Sequence, residues 1–194
     1  MVTFYTIARS VVKSVLMPLY RVEVRGREHF PKEGGVLLCS NHIDNLDPPL
    51  VGITAPRPIL FMAKEELFKI PVFGKMLANL NAFPVKRGAS DREALRKGIK
   101  FLKEGKVLGL FPEGTRSKTG EIGEGMAGAG FFALRTDAHV VPCAIIGPYK
   151  AFRKVKVVYG PPIDMEELRG RKASAEETTA VIMSHIRRLK EESQ

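Results

Sequence analysis

The chain has 194 residues, 31 Lys and Arg against 21 Asp and Glu for a net charge of +10, and 44% hydrophobic residues. That length suits one domain with a sizeable core, and that composition excludes a disordered chain. Two cysteines, Cys39 and Cys143, both inside apolar runs, are too few for a disulfide scaffold and fit a reducing compartment, and with no C-x-x-C pair a thiolate zinc site is excluded.

The excess positive charge points to an anionic partner: nucleic acid, a negatively charged membrane surface or a phosphorylated substrate. In chain order the first element lies within residues 1–20. There Phe4, Ile7, Ala8, Val11, Val12, Val15, Leu16 and Leu19 recur at three- and four-residue spacing, with Thr6, Arg9, Ser10 and Lys13 on the other side, which predicts an amphipathic helix. Two placements fit it: a helix laid on the protein's own core, or one lying in a membrane interface. The second is suggested by the cationic face, by Phe4 and Tyr5, and by the basic cluster Arg21, Arg25 and Arg27. No uncharged apolar run reaches the roughly 18 residues of a spanning helix. Arg9 and Lys13 also break the segment's apolar run, so it does not read as a cleaved signal peptide.

Residues 21–194 read as the main domain. Strand-like runs are Arg21–Val24, Val36–Ser40, Ile59–Met62, Ala82–Val85, Val107–Phe111, Val140–Ile146 and Lys154–Tyr159. A capping box at Ser90-Asp91-Arg92-Glu93 opens a helix running to Lys103, with Gly105 as its stop, and a second box, Ser174-Ala175-Glu176-Glu177, opens a C-terminal helix. Strands separated by helix-length segments predict a single α/β domain, a mixed, mostly parallel sheet of about seven strands flanked by helices.

Three strand ends carry chemistry. After Val36–Ser40 comes Asn41-His42-Ile43-Asp44-Asn45-Leu46-Asp47-Pro48, at the carboxyl end of a strand, where α/β folds place their sites. Asp47 before Pro48 is the pattern of a helix N-cap. Its carboxylate would also hold one imidazole nitrogen of His42 and free the other as a base. Taken alone, the segment equally suits a surface loop whose side chains cap backbone groups. A second segment, Phe111-Pro112-Glu113-Gly114-Thr115-Arg116-Ser117, combines a glycine for close approach, hydroxyls, and a guanidinium suited to phosphate. A third, Phe83-Pro84-Val85-Lys86-Arg87, ends its strand in two cations. With no Gly-x-Ser-x-Gly elbow or exposed cysteine in the sequence, the expected nucleophile is a hydroxyl of the substrate.

These segments, followed by Val140-Val141-Pro142, resemble in order and spacing the four motif blocks of the glycerolipid acyltransferases, chiefly bacterial 1-acyl-sn-glycerol-3-phosphate acyltransferases. The likeness spans roughly Val24 to Ile163, and the two central motifs together are far more specific than either alone. It implies that His42 is the base and Asp47 its orienting partner in acyl transfer from acyl-CoA or acyl-carrier protein to lysophosphatidic acid, with no covalent intermediate. It further implies that Asn41, Lys64, Arg87, Glu113, Gly114, Thr115 and Arg116 serve the acceptor, that Pro142 belongs to the last block, and that neither a metal nor a resident cofactor is needed. An acceptor that lives in a bilayer favours the interfacial placement of the N-terminal helix, on an anionic membrane surface at the cytoplasmic face, as a peripheral or monotopic protein.

Departures from the family pattern are Asp44 two positions after the histidine, commonly serine in relatives, and the acidic, glycine-rich stretch from Glu121 to Gly130. Gly123-x-Gly125-x-x-Gly128 within it is a formal dinucleotide fingerprint, rejected because no strand immediately precedes it. Small residues there fit close helix packing or room for an acyl chain. Other readings are an acyltransferase using glycerol-3-phosphate or another lysolipid, a catalytically silent membrane-surface protein, and a nucleic-acid binder. The last is disfavoured because Trp is absent and the four tyrosines are scattered.

Overall fold

A computed structural model describes residues 4–71, 74–75, 82–85 and 91–193. Its elements are α1 (Phe4–Leu19), β1 (Glu23–Arg25), a 3-10 turn (Arg27–His29), β2 (Val36–Ser40), α2 (Asp47–Thr54), β3 (Ile59–Lys64), α3 (Glu65–Phe68) and β4 (Ala82–Val85). They continue as α4 (Arg92–Lys103), β5 (Val107–Leu110), α5 (Gly128–Arg135), β6 (His139–Ile146), β7 (Lys156–Tyr159), α6 (Glu166–Gly170) and α7 (Ala175–Glu191). The strands form one sheet in the order β1-β7-β6-β2-β5-β3-β4. Every neighbouring pair is parallel except β6 with β7. The mixed, mostly parallel α/β sheet expected from the sequence is the observed architecture.

Burial explains the pattern. Every residue of β2 is buried, which is why Val-Leu-Leu-Cys-Ser reads as a continuous apolar run rather than an alternating one. On one face Leu37, Leu108 and Val140 pack with Ala94 and Leu102 of α4, Phe132 of α5 and Ile182, Met183 and Ile186 of α7. On the other, Leu38, Val141, Ile145 and Val157 pack with Leu16 of α1 and Leu50, Val51 and Ile53 of α2.

Local chemistry sets the element ends. Gly105 adopts φ +76 after α4, and the N–H of Lys106 bonds back to Phe101 O at 2.9 Å, the helix stop expected of a glycine. Ser174 Oγ accepts the N–H of Glu177 at 3.1 Å and caps α7. At α4 the cap is Asp91, whose Oδ1 accepts the N–H of Ala94 at 3.0 Å; Ser90, the first residue of the expected capping box, lies outside the described residues. Strand β1 begins two residues later than expected, because Arg21 takes φ 42 and the N–H of Val22 closes α1 onto Met17 O at 3.0 Å.

Helix α1 packs on the core along one side and leaves an apolar stripe exposed on another. Leu16 is buried in the core, and Arg9, which the sequence pattern set on the solvent side, reaches α2 instead. Its Nε donates to Gly52 O at 3.1 Å and its Nη2 to Ala55 O at 2.5 Å, so a cation serves the carbonyls at the C-terminal end of that helix. Ile7, Val11 and Val15, one turn apart, stay 55%, 58% and 54% exposed. Among the described residues no helix is long and apolar enough to cross a membrane.

Candidate active site

Strand β2 delivers the chain to the site, and Asn41 fixes where it arrives. The Asn41 side chain is fully buried, donating from Nδ2 to Ile145 O at 2.9 Å and accepting the N–H of Ile145 on Oδ1 at 2.7 Å. It therefore staples the end of β2 to the end of β6, the neighbouring strand, and its side-chain amide is spent on that backbone. Pro142, from the last motif block, lies in that same strand β6.

Asp47 organises the loop that follows. It occupies the first turn of α2 but does not cap it as expected; the N-cap position is Leu46, and the carboxylate turns back into the loop. Its Oδ2 accepts the Nδ1–H of His42 at 2.8 Å and the backbone N–H groups of Ile43 at 2.6 Å and Asp44 at 2.8 Å, while Oδ1 accepts the hydroxyl of Tyr149 at 2.7 Å. The residue is fully buried, and four donors replace the water that burial removes. Asp44, the departure from the family pattern, spends Oδ1 on the N–H of Leu46 at 2.9 Å. Because a carboxylate only accepts, the His42 proton sits on Nδ1, and Nε2 carries the lone pair of the neutral ring.

The loop after β5 holds the other side of the histidine. The Phe111 ring stacks on the imidazole with centroids 4.3 Å apart. Glu113 Oε1 accepts the N–H of His42 at 2.9 Å, and the N–H of Ser117 donates to His42 O at 2.8 Å. Glu113 Oε2 accepts the N–H of Gly123 at 2.9 Å. Both carboxylate oxygens thus join backbone segments, and Glu113 is a strut between loops. Gly114 adopts φ +64, and a Cβ there would lie 2.5 Å from Met126 Sδ, so only glycine fits this turn. From α7, Arg187 donates to Gly123 O at 2.7 Å and Lys190 to Gly120 O at 2.8 Å.

The C-terminal ends of β2, β5 and β3 are neighbours in the sheet, so Lys64, Thr115 and Arg116 share one sheet edge with His42, and all three are exposed. Arg87 lies outside the described residues. Cys39 and Cys143 are fully buried, and burial pushes both thiols up, Cys143 to about 12, so neither supplies a thiolate nucleophile. Among the described residues no group of three or more His, Cys, Asp or Glu side chains is arranged to hold a metal ion. Sequence reasoning missed Tyr149, which lies 102 residues from Asp47 and carries no motif signal beyond its place just after β6.

A family model described as Acyltransferase matches residues 21–146. The chain belongs to that acyltransferase family. It is 31% identical over 193 residues to a 1-acyl-sn-glycerol-3-phosphate acyltransferase of Bacillus subtilis, covering 96% of each chain. Identity is 30% with the enzyme of the same name from Borreliella burgdorferi, over 77% of this chain and 61% of that one. The crystal structure of the 1-acyl-sn-glycerophosphate acyltransferase PlsC from Thermotoga maritima superposes with a TM-score of 0.72 at 28% identity, covering 96% of this chain and 82% of that one. The acyltransferase match takes in His42, Asp47, Lys64, Arg87 and the 113–116 loop, whereas Tyr149 and α7 lie beyond it.

Proposed function

We propose that this chain transfers a fatty acyl group from an acyl thioester, acyl-CoA or acyl-carrier protein, to the sn-2 hydroxyl of 1-acyl-sn-glycerol-3-phosphate, giving phosphatidic acid. The observation that carries this reading is the His42 imidazole held through Nδ1 by buried Asp47, with Nε2 as the basic nitrogen. Nε2 takes the proton of the acceptor hydroxyl as its oxygen attacks the thioester carbonyl. The tetrahedral intermediate collapses with loss of thiolate, which takes the proton back from the imidazolium and leaves as thiol. Asp47 offsets the charge that His42 carries between these steps. Asn41 and Glu113 act by fixing the backbone on either side of the ring.

The test is thiol release from palmitoyl-CoA and from palmitoyl-acyl-carrier protein in mixed micelles, with lysophosphatidic acid, glycerol-3-phosphate or no acceptor. Release that depends on lysophosphatidic acid is expected. Release with glycerol-3-phosphate alone would change the acceptor, and none with either donor from folded protein would overturn the reading.

Arg116, Lys64 and Arg87 are assigned to the acceptor's phosphate, with Gly114 and Thr115 shaping the loop that presents Arg116. A charge-assisted hydrogen bond contributes about 1.5–3 kcal/mol. Arg116→Ala is therefore expected to raise KM for lysophosphatidic acid about 10- to 100-fold with little change in kcat. A fall in kcat at unchanged KM would remove Arg116 from ground-state phosphate binding.

The acceptor resides in a bilayer, and the outward stripe of α1 suits an anionic lipid surface at the cytoplasmic face. Ile7, Val11 and Val15 supply apolar area, and exposed Lys13, Arg21, Lys150 and Arg153 supply charge, with Phe152 71% exposed where its N–H bonds Leu19 O at 2.6 Å. Deleting residues 1–20 would also remove the core contacts of Arg9 and Leu16. The double substitution Val11→Glu and Val15→Glu is the cleaner test, and it is expected to weaken sedimentation with anionic liposomes at least about tenfold while leaving the melting temperature unchanged. Unaltered sedimentation would count against the interfacial placement.

A further inference from the structure

The connection between β6 and β7 turns one residue inward. Tyr149, just past β6, places its hydroxyl 2.7 Å from Asp47 Oδ1, and its ring meets the edge of Tyr20 with centroids 5.3 Å apart at 81°. Tyr20 directly follows α1, and the same connection is tied to that helix end by the N–H of Phe152 on Leu19 O at 2.6 Å and the N–H of Val155 on Tyr20 O at 3.0 Å.

We propose that Tyr149 is a positioning residue for the His42–Asp47 pair, held in place from the end of α1 through Tyr20. The proposal rests on the reading of His42 as base and Asp47 as its partner. Three donors converge on Oδ2 of Asp47 and fix where that oxygen lies. Rotation about the last side-chain bond of an aspartate is soft, so three bonds to one oxygen leave the plane of the carboxylate loosely defined. Among the described residues the Tyr149 hydroxyl is the sole donor to Oδ1, and it sets that plane. The plane decides how the Oδ2 lone pairs meet Nδ1 of His42, and so how Nε2 is aimed.

The hydroxyl stays a donor throughout. Burial, then the charge and hydrogen bond of Asp47, push its ionisation well up from the usual tyrosine range. Among the described residues Asp47, Asp44, Cys143 and, at its ring edge, Tyr20 are the titratable groups that face it, His42 and Glu113 lying on the far side of Asp47 and of His42. Without this donor, Oδ1 is buried with no partner, and the carboxylate attracts the imidazolium more strongly. The base is then protonated at higher pH.

Tyr149→Phe keeps the ring and removes only the hydroxyl. It is expected to lower kcat about tenfold, to leave KM for lysophosphatidic acid unchanged, and to move the acid limb of the kcat/KM profile upward by about one pH unit. A merely structural role would lower the melting temperature without moving that limb. The double variant with Asp47→Asn is expected to be no slower than Asp47→Asn alone, because Tyr149 acts through Asp47. Tyr20→Leu, which spares the hydroxyl, is expected to shift kcat and the limb in the same direction by a smaller factor. An unshifted limb in Tyr149→Phe, or losses that multiply in the double variant, would overturn the proposal. Wild-type kcat and limb in Tyr20→Leu would overturn the link to α1. Wild-type activity in Asp47→Asn would instead sink the underlying reading of the pair.

Discussion

His42→Ala is expected to lower acceptor-dependent kcat/KM by about 10²- to 10⁴-fold, the range for removing a positioned general base, or about 3 to 5 kcal/mol of transition-state stabilisation. The fold is expected to survive, because the backbone of residue 42 stays tied by the carboxylate of Glu113 and the N–H of Ser117 whatever its side chain. Asp47→Asn is the informative companion. Asparagine's carbonyl can take the Oδ2 position, where the three donors converge, and its amide can take the Oδ1 position and donate to the Tyr149 hydroxyl. Geometry is then nearly conserved while the charge that offsets the imidazolium is gone. A loss of about 10²-fold or more in kcat at near-normal KM is expected from steady-state thiol release. If His42→Ala retained wild-type release, the base would lie elsewhere; if only Asp47→Asn retained it, the imidazolium would need no counter-charge.

The strand pattern and the His42 to Asp47 spacing were legible because each depends on residues close in sequence. β2 and β4 fall where their apolar runs lie, and Ser174 caps α7 through an N–H three residues on. The site's support was not legible, for one physical reason. Asn41 and Tyr149 spend their polar atoms, and Glu113 one of its two carboxylate oxygens, on groups 71 to 104 residues away, and which group meets a side chain emerges only when the sheet order is set. A motif carboxylate such as Glu113 therefore gives no sign in sequence of the two backbone segments that it joins. The same limit misplaced Arg9: periodicity assigns a residue to a face of α1 but does not reveal that the carbonyls of Gly52 and Ala55 wait beside it.

The glycine-rich stretch that runs into α5 carries the second large effect, because the loop that grips His42 is itself held by α7. Gly130 is buried where α5 crosses the start of α7, and its N–H donates to Thr179 Oγ1 at 2.9 Å. A Cβ at this position would lie 1.9 Å from Ala175 O and 2.8 Å from its carbonyl carbon. Alanine favours a helix over glycine by about 1 kcal/mol, so propensity alone predicts a gain in stability. The obstacle is backbone and cannot swing aside, so α5 must back away from α7 and loosen the buried cluster that holds Phe132 and Met183, an overpacking cost of about 3 kcal/mol. Strain wins. Gly130→Ala is expected to be destabilised by about 2 kcal/mol, with a melting temperature lower by about 4–8 °C by calorimetry or circular dichroism. Activity should fall as well, because moving α7 shifts Arg187 and Lys190 against Gly123 and Gly120, and Gly123 is the far anchor of Glu113. Gly128, at the exposed start of the same helix, has nothing within 4 Å of its added Cβ, so Gly128→Ala is expected to be neutral or slightly stabilising. Equal melting temperatures for the two variants would mean that the α5 and α7 backbones do not approach as closely as Gly130 and Ala175 place them.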